Sequence, residues 1–120
     1  MSNTDPTSLP VLDVATLSEL QEIMEEAFPD LVKTFLHDMP IQLAGIRAAA
    51  DRGDATALRY LAHKLKSGSG AMGALQLAEL ARQLENLRGR VTMTDIGPLL
   101  QQAQASAEQT SAALRTLLSG

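Results

Sequence analysis

Between Phe28 and Ala50 the apolar residues Phe28, Val32, Phe35, Met39, Leu43, Ile46 and Ala50 recur at steps of three and four. No other feature limits the fold so strongly, because only a helix of about 3.6 residues per turn gathers such positions onto one side. Pro40 lies within the stripe, and the crowding of its ring against the carbonyl of Leu36 predicts a kink there. The pattern returns twice. Leu77, Leu80, Ala81, Leu84 and Leu87 form a second stripe ending near Gly89, and Ile96, Leu100, Ala103, Ala107, Thr110, Leu114 and Leu117 form a third. Between the first two, Gly53 and Asp54 read as a helix stop and an N-cap opening "ATALRYLAHKLK". "TDIG" followed by Pro98 reads as the first turn of the last helix, where a missing N–H costs nothing. Near the N-terminus, Thr16 to Glu19 ("TLSE") has the form of a capping box opening a short helix through Met24 and beyond.

Nothing competes with helix. β-Branched residues never alternate, and aromatics are only 2% of the chain, so the core must be built from Leu, Ala, Val, Ile and Met. The expected fold is all-α: an antiparallel up-down four-helix bundle over residues 11–119, with a short extra N-terminal helix. Residues 1–10, "MSNTDPTSLP", read as a flexible tail. The last helix is read as bundle core and not as a coiled-coil seam, which predicts a monomer.

Composition removes several functions. The absence of cysteine excludes disulfides, thiolate catalysis and cysteine zinc sites. Two histidines, His37 and His63, without an H-E-x-x-H spacing predict no metal site, and no cofactor is expected. A net charge of −4 without a basic run argues against nucleic acid. With no apolar stretch of about 18 residues and no signal peptide, the chain should not insert into a membrane, and a cytoplasmic location is expected. The initial Met and short lead-in favour a free-standing domain. No convergent acid–base pair supports an enzyme acting alone on a small molecule.

"HKLKSGSGAMGA", residues 63–74, contains G-x-G-x-x-G, the pattern of a dinucleotide loop. That loop needs a strand before it and a βαβ unit around it, and here a helix precedes it. The glycines therefore need another reason. At about 100° per residue, Leu58, Leu61, Leu65 and Met72 share the core side with Gly68 beside them, and His63 falls opposite. Arg59, Tyr60, Lys66, Ser67 and Gly70 surround it, so His63 should be exposed. Gly73 is placed to end the helix. Gly70, on the solvent side, has no packing reason to be small, and with Ser67 it leaves a flat surface on which another protein's backbone can dock. Lys66 and Arg59 flank the imidazole with positive charge, which suits an anion; a phosphoryl group fits, and the ring nitrogen is a nucleophile able to form an N–P bond.

His63 lies 11 residues before Ala74 and Glu85 lies 11 after it, so a turn at Gly73–Ala74 brings the two level on antiparallel helices. A carboxylate accepting from Nδ1–H leaves Nε2 as the nucleophile. Plainer roles stay open: Lys66 as a solvated charge, and Glu85 as an i,i+3 partner of Arg82 or Arg88. His37, beside Asp38 and lacking a small-residue surface, reads as an ordinary solvated histidine.

With Ala62, His63, Leu65, Lys66, Gly73 and Ala74 in this spacing, the chain resembles the histidine-containing phosphotransfer (HPt) domains of two-component relays, over roughly residues 28–90. The resemblance implies a bundle whose exposed histidine takes a phosphoryl group from one receiver aspartate and passes it to another. It implies His63 as phospho-acceptor, Lys66 as the neighbouring cation and Glu85 near the histidine. Arg59, Tyr60, Ser67, Gly70 and Ala74 would dock the receiver domains of a hybrid sensor kinase and of response regulators. The catalytic aspartates and Mg²⁺ would belong to the receiver, so the chain is expected to be a carrier and not an enzyme. One departure stands out: the family usually has glycine after the lysine, whereas here Ser67 follows and glycine comes at Gly68. A helical adaptor that docks receivers without accepting phosphate is the competing reading.

Overall fold

The computed structural model describes residues 5–89 and 91–119. Five helices account for most of them: α1 Val14–Met24, α2 Phe28–Asp51, α3 Ala55–Ala71, α4 Leu75–Glu85 and α5 Met93–Ser119. No strand occurs among the described residues. Helix α2 packs on α3, α3 on α4, α4 on α5, and α5 closes the ring against α2. Short connections make successive neighbours antiparallel, giving the expected up-down four-helix bundle with α1 as the short extra helix.

The stripes explain the packing. All seven positions of the first stripe are buried in α2, joined by Ala49. In α3 the buried line is Leu58, Ala62, Leu65 and Ser69, while Leu61 sits half-buried at its edge. Gly45 lets α2 approach that edge closely, since a Cβ there would lie 2.7 Å from Leu61 Cδ1. Leu77, Leu80, Ala81 and Leu84 are buried in α4, and Leu87, beyond its end, is half-buried. α5 buries six of the seven positions expected of it and adds Ser106. The seventh, Leu117, is 41% exposed.

Helix boundaries differ from the sequence reading at two points. Helix α1 opens at Val14 with Asp13 as its N-cap, so Thr16 is already inside it. The Thr16 hydroxyl donates to the Asp13 carboxylate at 2.6 Å instead of capping a backbone N–H. Helix α5 opens at Met93, five residues before Pro98, so the proline lies beyond the first turn. Thr92 supplies the cap there, its hydroxyl oxygen accepting from Asp95 N–H at 3.4 Å while its O–H donates to Asp95 Oδ2 at 2.7 Å. Helix α2 runs through Pro40 as the single long helix that its apolar stripe predicts.

Two turns set the register of α3. Gly53 and Gly73 both take positive φ, +68° and +77°, where other residues are strained. At the second turn Ala74 N–H donates to Ser69 O at 2.8 Å and Gly73 N–H to Gly70 O at 3.1 Å, a Schellman closure that lets α4 begin at Leu75. The N-terminal lead-in lies across this turn. Asp13 N–H donates to Gly73 O at 2.7 Å, and Gln76 N–H to Pro10 O at 3.1 Å. Pro6–Ser8 form a 3-10 turn, so the inner part of the expected flexible tail is tied down, and its first four residues lie outside the described residues.

Candidate functional site

The centre of α3 carries one face inward and the other outward. Because Ala62 and Leu65 are buried, the intervening His63 points out, with 58% of its side chain exposed. Lys66, three residues on, falls between the two faces, toward α4, and is 34% exposed. Helix α4 returns antiparallel from Gly73–Ala74 and brings Glu85 level with both. His63 Nδ1 lies 2.6 Å from Glu85 Oε2, and Lys66 Nζ donates to Glu85 Oε1 at 2.6 Å. One carboxylate thus holds the imidazole and the ammonium together.

The electrostatics fix the tautomer. The Lys66 ammonium, and secondarily the His63 hydrogen bond, hold the Glu85 carboxyl below the usual carboxylate range against its partial desolvation. An ionised carboxylate can only accept, so the proton of a neutral His63 resides on Nδ1 and the lone pair on Nε2. Charge-assisted bonds of this length are the stronger kind. The imidazole is therefore held with a nucleophilic nitrogen on an exposed face.

This depressed carboxyl has a measurable consequence. A group whose folded pKa lies below its unfolded value stabilises the fold fully above the unfolded value, and that contribution is lost as pH falls through the folded value. Glu79, lowered by its bond to Arg82, acts in the same direction. A ¹³C NMR titration should find Glu85 ionising below the ordinary carboxylate, and Lys66→Met should move its midpoint upward. An unmoved midpoint would mean that the ion pair does not set the charge of Glu85.

The other expected residues divide. Tyr60 and Ser67 are exposed on the His63 side of α3. Gly70 is on the same side, and a Cβ there would meet nothing within 4 Å, so its smallness serves no internal packing. Ala74 is a correction: it is fully buried as the N-cap residue of α4 and has no surface to offer a partner. Its small size serves the turn. Arg59 is a correction of role. Its guanidinium is not a free charge beside the imidazole, since Nε and Nη2 donate to Leu87 O at 3.2 and 2.8 Å. The proposed pairing of Glu85 with Arg82 also gives way, because Arg82 bonds Glu79 at 2.6 and 2.9 Å. His37, 75% exposed, lies 3.1 Å through Nδ1 from the carboxylate of Asp38.

Sequence reasoning missed the Leu87 carbonyl, since a backbone acceptor beyond a helix end leaves no mark in the residue type. Among the described residues no group of three or more His, Asp or Glu side chains is placed to hold a metal ion. No helix among them is long and apolar enough to cross a membrane.

Comparison with known proteins fits this geometry. The model of a family described as "Hpt domain" matches residues 30–119. The chain is similar in structure to histidine-containing phosphotransfer protein B (HptB) of Pseudomonas aeruginosa PAO1. That match has a TM-score of 0.83 and 36% identity, covering 89% of this chain and 93% of the other. It also has the fold of the HPT domain from an Hpt sensor hybrid histidine kinase of Shewanella, with a TM-score of 0.74, 19% identity, and coverage of 96% and 97%. No curated protein sequence gives a significant match.

Proposed function

The chain belongs to the Hpt-domain family and serves in histidine phosphotransfer relays, and from that premise we propose that His63 carries the phosphoryl group. The observation that supports this assignment most is the Nδ1–Glu85 contact of 2.6 Å, which leaves the exposed Nε2 unprotonated. Hpt domains work with receiver domains, and the donor here is a receiver's aspartyl phosphate. Nε2 supplies the electron pair to phosphorus, the N–P bond forms, and the P–O bond to the aspartate breaks with its electrons returning to the carboxylate. No proton has to move, because the proton on Nδ1 stays there. The ring then bears positive charge, which the Glu85 carboxylate offsets. Reversing the step passes the group to a second receiver.

In this reading His63 is the phospho-acceptor and Glu85 its orienter. Lys66 is positioned to exchange its contact with Glu85 for one with the incoming phosphoryl oxygens. Tyr60, Ser67 and Gly70 form the surface on which the receiver docks, and the aspartates and Mg²⁺ that assist transfer belong to that receiver. The chain is then a carrier, not an enzyme in its own right.

Incubation with a panel of phosphorylated receiver domains tests the proposal. Label on this chain that is labile in acid and stable in alkali is expected. Receivers that bind tightly but transfer nothing would establish the adaptor reading instead.

A further inference from the structure

We infer that Arg59 is a positioning residue for the His63–Glu85 pair, clamping the exit of α4 to α3 so that the carboxylate meets the imidazole. The inference rests on the reading of His63 as phosphoryl carrier. Glu85 is the last residue of α4, the place where a helix has least to hold it. Beyond it Asn86 N–H still donates to Arg82 O at 3.0 Å, whereas Leu87 N–H reaches Leu84 O only at 3.4 Å. The short, two-pronged contact at this point is that of Arg59 with Leu87 O.

The arrangement is a ladder of two rungs. Arg59 and His63 are four residues apart on α3, so they lie on the same side one turn from each other. Glu85 and Leu87 are two apart on the returning chain. One rung joins His63 and Lys66 to Glu85, and the other joins Arg59 to Leu87. The second rung ties the chain just past Glu85 to α3, beside the half-buried side chain of Leu87. A half-buried arginine whose charge is turned onto a main-chain carbonyl, away from solvent, is thereby accounted for.

The test uses the full chain and compares Arg59→Met, which keeps an apolar stem but no donors, with Arg59→Lys, which keeps one charged donor group. The ¹⁵N spectrum of His63 should show protonated Nδ1 in the wild type and a mixture of tautomers in Arg59→Met. Transfer from a phosphorylated receiver should fall about 10-fold in Arg59→Met at unchanged receiver affinity, with partial recovery in Arg59→Lys. A wild-type tautomer signature and rate in a folded Arg59→Met chain would overturn the inference, even if that variant melted earlier. The spectrum needs no phosphate: if it shifts as described while the wild type accepts no phosphoryl group, the clamp stands and the carrier reading fails.

Discussion

Replacing His63 by Gln is expected to abolish phosphoryl acceptance while leaving the bundle intact. The side chain is 58% exposed and packs on nothing in the core, so the fold has little to lose. Glutamine fills similar space and can still donate to Glu85, but its amide has no nucleophilic nitrogen in place of Nε2. No neighbour substitutes for it. Lys66 is an ammonium whose lone pair is taken by a proton, and His37 lies on another helix with Asp38 at its ring. Label from a phosphorylated receiver should therefore fall to background in His63→Gln and stay at the wild-type level in His37→Gln. Circular dichroism and melting should match the wild type for both. A His63→Gln chain that still takes acid-labile label would move the site elsewhere.

The second large effect is structural and reaches the site through a turn. Gly73 has φ of +77°, and a Cβ on it would lie 3.1 Å from Asp13 O and 3.2 Å from Thr16 Cβ. The first fact makes a branched side chain strained in itself, and the second forces the start of α1 to move, because a backbone oxygen cannot swing aside. Gly73→Val should cost about 2–3 kcal/mol, the upper part of the range for strain of this kind, because the close contacts add to it. For a chain of this length that lowers the melting temperature by about 10 °C. The same residue's carbonyl receives Asp13 N–H at 2.7 Å, so the loss should extend to α1. The turn also sets which residues of α3 and α4 face each other. A folded Gly73→Val chain should accordingly transfer phosphate more slowly. Substitution of Gly53, also at positive φ but with open space around it and far from the α3–α4 turn, should cost stability with less effect on transfer. Equal stability of Gly73→Val and the wild type would show that the turn tolerates another conformation.

How far the sequence could be read follows from what each inference needed. The helices and their buried sides need only the period of apolar residues, and those of α2 and α4 came through almost unchanged. The meeting of His63 with Glu85 needed one further quantity, the position of the turn, which Gly73 and Ala74 mark. Residues whose role depends on where a long side chain ends were less legible. The azimuth of Arg59 on α3 is plain from its number, but its choice of Leu87 O over solvent depends on how near α4's exit comes. Lys66 and Glu85 form an ion pair because of the rotation of α4 about its axis, which no spacing reports. Ala74 matched a motif and sat beside the docking surface in sequence, yet the closure of the turn buries it. Ser69 and Ser106, buried with hydroxyls that find no hydrogen-bond partner among the described residues, could not be told from surface serines.

In the proposed transfer, Glu85 holds the Nδ1 proton of His63 and leaves Nε2 to take the phosphoryl group. The most direct measurement is a ³¹P–¹⁵N NMR spectrum of the ¹⁵N-labelled chain after phosphorylation by a receiver domain. A single phosphohistidine at His63 is expected, with phosphorus bonded to Nε2 and the proton still on Nδ1. Phosphorus on Nδ1, or on His37, would contradict it.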